Sequence, residues 1–261
     1  MSFYFVFLSY MKSKYKIKDF MPVWFAGQCS ITCMAWIINY FYDTFYGSKD
    51  IYDLSTVTKF WHWAFGEVLS IQEIALFLER SYFDVTIFSG MNQEEWNYLL
   101  QGDDANKMVE IYKKYIDPKF HHCIEWTTRT FEEWWTMEMV NFLVQKRIAE
   151  SNVKFNYQLD DNWIMDTFKN NQDIDGGSTL FLLWLDYNIL YDEASERNES
   201  AGHMVLTTWI NENDNFIIHE PIRPRPNPIL IPKEKVLKAL HFLEPYEFLM
   251  IKNNLEAPVV E

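Results

Sequence analysis

The stretch Ala26-Gly27-Gln28-Cys29-Ser30-Ile31-Thr32-Cys33-Met34-Ala35-Trp36 reads as a tight turn running into a helix. Gly27 permits the turn. Ile31, Ala35, Ile38 and Tyr42 then recur at helical spacing, so a helix is expected from Cys29 to about Tyr46, with Gly47-Ser48 ending it. Cys29 would stand at the head of that helix, where the positive end of the dipole favours a thiolate. An isolated cysteine is more often a buried structural residue. Two downstream runs, Gly202-His203-Met204-Val205-Leu206 and Ile218-His219-Glu220-Pro221, reverse that preference.

Working outward, Ser70-Ile71-Gln72-Glu73 is a capping box that opens a second helix, and Asp84 to Phe88 reads as a strand. Asn92 to Tyr115 is helix-prone, with an interruption near Gly102-Asp103-Asp104. A second capping box, Thr130-Phe131-Glu132-Glu133, starts a helix to about Glu150, and Asn156 to Asn171 is also read as helical. Beyond Asp175-Gly176-Gly177 the texture changes. Thr179 to Asp186 is a continuous apolar run, as in a strand buried on both faces. His203 to Ile210 and Asn215 to His219 form a strand pair around the turn residues Asn211-Glu212-Asn213-Asp214. Pro221 to Pro232 reads as an extended loop, followed by a helix from Pro232 to Leu243 and a strand from Glu247 to Ile251. The expected architecture is α+β: a helical first half packed on an antiparallel sheet from the second half. It forms one domain over residues 1–261, with a helical insertion at about 90–175.

Composition narrows the function. The net charge of −14 argues against a nucleic-acid binder, whose footprint is basic. Three cysteines, few and odd in number, argue against a disulfide framework and fit a reducing compartment better. The apolar run Phe3 to Leu8 is too short to span a bilayer and lacks the flanks of a signal peptide, so it is read as a first strand. No membrane partner and a cytoplasmic location are expected. Aromatic residues make up 18% of the chain, which implies a bulky core or an aromatic-lined pocket. Trp24 beside the nucleophile and Trp134 and Trp135 in the insertion are the candidates for such a wall, with Trp96, Trp126 and Trp163 concentrated in the same insertion. His121-His122-Cys123 lacks a second ligand pair at zinc spacing, so no metal is expected, and no phosphate-binding glycine loop implies a cofactor.

The chemistry then concerns three residues. An imidazole at His203 would take the Cys29 proton and return it to a leaving group. Glu220, at the end of the partner strand, would orient the ring and stabilise the imidazolium. His219 and Asn211 are the alternatives for that third role.

The set resembles the papain-like superfamily, and most the bacteriocin-processing peptidase branch. There a Cys heads a helix with a small residue four positions later, followed by a Gly-His strand and an Asp-Pro pair. The matching residues are Cys29, Cys33, Gly202-His203 and Glu220-Pro221. Gly27-Gln28-Cys29 also resembles the active-site run of transglutaminases. The resemblance implies a papain-like fold and an acyl-thioester intermediate. Three departures stand out. Val23 occupies the place of the peptidases' oxyanion glutamine, Ser30 follows the nucleophile where Gly is common, and Glu220 replaces Asp. Gln28, adjacent to Cys29, is the candidate replacement donor; losing one such donor costs about 10²–10³ in rate.

An activated thioester donor leans less on that donor than a peptide does. The expected function is therefore transfer of an acyl group from a thioester, with an acyl carrier protein as a candidate donor, to a small amine without ATP. In size and character the chain is similar to the amide-forming, transglutaminase-like enzymes of polythioamide (closthioamide-type) biosynthesis. A cysteine peptidase and a non-catalytic binding module of the same fold are the alternatives.

Overall fold

The computed structural model describes residues 29–42, 71–101, 104, 107, 110–111, 113–114, 148, 150–157, 160–172, 179–192, 202–221, 228–242 and 246–253. Among these, six helices and seven strands make a mixed α+β architecture. The expected strand at Phe3 to Leu8 and the helix from Thr130 lie outside the described residues.

The helix expected at Cys29 is present as α1, Cys29–Tyr42. Every residue from Cys29 to Asn39 is buried. A helix that is mostly apolar on every face belongs in a core, and α1 fits this although Ser30, Thr32 and Asn39 are buried with it. The second helix, α2, spans Ile71–Arg80 and leads into β1, Phe83–Ser89, through a turn in which Tyr82 takes a positive φ of 65°. α3 spans Gln93–Gln101 and is capped by Asn92, whose Oδ1 accepts from the Glu94 backbone N–H at 2.8 Å.

Two expectations about the middle of the chain change. Lys154–Asn156 is a strand, β2, and the following helix α4 starts only at Asp161 and ends at Asn171. Asp160 sets that start, its side chain accepting from the Trp163 N–H at 2.8 Å. A three-residue strand is too short to show a period in sequence. Its consequence is that the end of the supposed helical insertion joins the sheet.

β3 (Thr179–Asp186) is followed directly by a short helix, α5 (Tyr187–Tyr191), which the sequence reading lacks. β4 (Gly202–Ile210) and β5 (Asn215–His219) form the expected hairpin, with Asp214 at φ 57° in its turn. Ile229–Pro232, read as loop, is β6, because it pairs residue for residue with Asn215–Ile218. α6 (Lys233–His241) and β7 (Glu247–Asn253) complete the order.

The sheet runs β2-β1-β7-β3-β4-β5-β6. All neighbours are antiparallel except β1 and β2. It is therefore not a product of the second half alone, since β1 and β2 come from the first 156 residues. β3 shows why its sequence is apolar throughout. Leu180 and Leu182 enter a core with α1 and α2, while Phe181, Leu183 and Leu185 enter another with α4 and α6. No helix among the described residues is long and apolar enough to cross a membrane.

One buried charge group ties α2 to the sheet. Glu247 heads β7 opposite Ser89, and the Gln72 side-chain amide donates to both its oxygens at 2.9 and 2.7 Å. Burial raises its carboxyl to about 7, against the lowering effect of the Gln72 and Ser89 hydrogen bonds. The folded state thus keeps a proton that the unfolded chain releases near 4.5, so this group's contribution to stability is lost as pH rises from about 4.5 to about 7. At about 1.4 kcal/mol per unit, Glu247→Gln should gain on the order of 3 kcal/mol relative to wild type across that window. Urea unfolding of both proteins through the window checks it; parallel pH profiles would refute the assignment.

Candidate active site

Cys29, His203 and Glu220 converge at the start of β4, where the two cores meet. Cys29 belongs to the core containing α1 and α2, and Tyr191, which touches Glu220, packs on the core containing α4 and α6. All three are buried, with 6%, 2% and 2% of their surface exposed. The local sequence explains how each is held.

α1 is registered on β4 by two sulfurs. The pairing of β4 with β5 ends at Leu206 and His219, so Met204 has no β5 partner. Cys33 donates its thiol to the Met204 carbonyl at 3.6 Å, and the Met204 backbone also hydrogen-bonds Cys29. The two cysteines are four residues apart and so share one helix face. Burial, followed by the negative charges at Cys29 and Glu220, pushes the Cys33 thiol well above its ordinary value and keeps it a donor.

His203 is the second residue of β4, and Glu220 directly follows β5. The His203 Nε2 lies 3.0 Å from both Glu220 carboxylate oxygens. This leaves Nδ1 for the thiol. Tyr191 donates its phenol to Glu220 Oε2, and the Tyr187 ring sits against the imidazole at 5.1 Å and 86°. Gly202 lets the Trp184 indole approach: a Cβ there would come within 2.9 Å of its ring nitrogen, so a larger residue would require that ring to move.

Burial alone would raise the Cys29 thiol. The hydrogen bond and charge of His203, with backbone donors from Met204 and Ser30, outweigh it and leave the thiol below its ordinary 9.0. Burial alone would lower His203; its hydrogen bonds to Cys29 and Glu220, and their charges, raise it to about 9. The two shifts share one cause, the contact between the thiol and the imidazole, and both favour a thiolate–imidazolium pair. Such a pair can attack a carbonyl carbon and then hand a proton to the leaving group.

The alternatives for the third member do not meet the ring. Asn211 accepts from the backbone N–H groups of Asn213 and Asn215 at 3.0 and 2.9 Å, inside the turn. His219 pairs with Leu206 in the ladder and lies near Thr208 at 3.5 Å. Burial drops it to about 4, so it stays neutral. Gln28, Trp24, Trp134 and Trp135 lie outside the described residues, as do Val23 and Cys123. Among the described residues no cluster of three or more His, Cys, Asp or Glu side chains is arranged to hold a metal ion. The sequence reading missed Tyr187 and Tyr191. Their one sequence clue is Asp186, a capping residue type directly after the buried run.

Comparison with protein-family models, with curated proteins and with solved structures finds no match to this chain.

The pair predicts a labelling profile. Iodoacetamide should modify Cys29 in preference to Cys33, and rapidly at about pH 6.5, where an ordinary thiol of pKa about 8.5 is roughly 1% ionised. His203→Ala should slow that reaction at least about tenfold and move its midpoint towards the free-thiol value. Equal rates in both proteins, read by peptide mass spectrometry, would mean that the pair does not form.

Proposed function

We propose that this protein is a cysteine-dependent acyltransferase with a papain-like catalytic arrangement, and that it forms amides from thioesters. The observation that carries the reading is the Cys29–His203–Glu220 constellation, with the thiol lowered and the imidazole raised to about 9. The seating of a nucleophile-headed helix on a mainly antiparallel sheet supports a relation to papain-like proteins and transglutaminases.

In the first half-reaction the Cys29 thiolate attacks the acyl carbonyl carbon of the donor, forming a carbon–sulfur bond and an oxyanion. Collapse breaks the bond to the donor thiol, which leaves with the proton from His203. In the second half-reaction neutral His203 removes a proton from an incoming amine. The nitrogen attacks the acyl-enzyme, the new carbon–nitrogen bond forms, and Cys29 leaves as thiolate beside the imidazolium. Glu220 stays ionised throughout and holds the ring. Gln28 and the Cys29 backbone N–H are the proposed oxyanion donors, and Trp24, Trp134 and Trp135 the proposed substrate wall. Burial of the triad favours aminolysis, because a dry site keeps water from resolving the intermediate. A small amine and a thioester donor, carried by coenzyme or carrier protein, are the partners. The two described cysteines are both free, in keeping with a reducing, cytoplasmic setting.

Incubation with a simple aromatic acyl thioester should add one acyl group at Cys29, visible in the intact mass. Addition of a small diamine should discharge it as the amide, and Cys29→Ala should abolish both steps. Peptide cleavage with no thioester turnover would replace this reading with a peptidase. Neither reaction, together with ordinary alkylation of Cys29, would leave a binding module.

A further inference from the structure

We propose that α5 is a clamp on the His203–Glu220 pair, with Tyr191 as a positioning residue that fixes the Glu220 carboxylate. The proposal rests on the reading of Cys29 as nucleophile and adds a fourth member to its machinery.

The geometry supplies the argument. Tyr187 and Tyr191 are four residues apart, so they share one face of α5, and their rings lie 4.8 Å apart. Tyr187 packs on the His203 ring, and Tyr191 donates to Glu220. One short helix therefore touches both members of the pair. It is itself fixed at each end. Asp186 Oδ1 accepts from the Ile189 N–H at 2.8 Å, and Asp186 pairs with Gly202, the residue before His203. At the other end Asp192 turns left-handed at φ 53° and accepts from Lys235 of α6. Leu190, 1% exposed, anchors the middle in the core.

A clamp is needed because the third member is a glutamate. Its side chain has one more rotatable bond than an aspartate, and burying it fixed costs that freedom. Both oxygens stand 3.0 Å from Nε2, so the His203 contact does not choose between them. The phenol donates to Oε2 and so distinguishes that oxygen. It also stabilises the carboxylate without adding charge.

The test follows Cys29 alkylation against pH in wild type, Tyr191→Phe, Glu220→Gln and the double variant, each checked for folding by circular dichroism. Y191F is expected to move the thiolate midpoint upward and slow labelling at about pH 6.5 by about fivefold. In the E220Q background the same change is expected to add nothing, because Tyr191 acts through Glu220. A Y191F profile that matches wild type or moves downward overturns the clamp, as does an equal effect in the E220Q background. A wild-type profile like that of a free thiol would instead sink the nucleophile reading, so the two failures are distinct. Should Y191F unfold, 3-fluorotyrosine placed at position 191 keeps the shape and strengthens the donor. A downward midpoint then supports the clamp, and an unmoved one overturns it.

Discussion

An imidazolium enclosed by protein survives only beside anions, and the arrangement around His203 follows from that constraint. Its desolvation opposes the charge; contacts to Cys29 and Glu220 reverse the balance. With thiolate and carboxylate both ionised, the group carries one net negative charge. What remains to be stabilised is therefore anionic. The N-terminus of α1, backbone N–H donors at Met204 and Ser30, and the Tyr191 phenol all address that surplus. None of them brings a further full charge, so none competes with His203 for the thiolate.

The sheet delivers these groups by where its pairing stops. β5 leaves the ladder at His219, and the vacated edge beside Met204 is taken by the two α1 sulfurs. Glu220 turns towards His203 at the same point. Two residues further β5 would reach Pro221, which has no N–H to offer Met204. The end of one strand thus sets the position of a helix and the direction of a carboxylate together.

Much of this could be read from residues. The hairpin was legible because Asn211-Glu212-Asn213-Asp214 is turn chemistry between two apolar runs, and its register placed His203 near Glu220. Cys29 was legible because α1 combines a helical period with a glycine before its start. Other features had no local mark. β2 is three residues long, and β6 lies in a proline-rich run that resembles a loop until β5 is beside it. Glu247 looks like a solvated strand end, yet it is a buried carboxyl that accepts from Gln72 of α2, 175 positions away. Tyr191 belongs with these, since its partner is set by the hairpin and not by its neighbours in sequence. Contacts within a hairpin leave a pattern, whereas contacts between distant elements do not.

The sequence separation of the contacts also orders assembly. His203 and Glu220 are 17 positions apart and meet when a single hairpin closes, whereas Cys33 and Met204 are 171 apart. Closing the longer loop costs more chain entropy, and that cost falls before the contacts repay it. During synthesis, moreover, α1 leaves the ribosome long before β4. Until the hairpin arrives, Cys29 has no imidazole and remains an ordinary, largely protonated thiol. The lowered thiol pKa is thereby a property of the completed fold: the sulfur acquires it only when the imidazole and the enclosing strands are already in place.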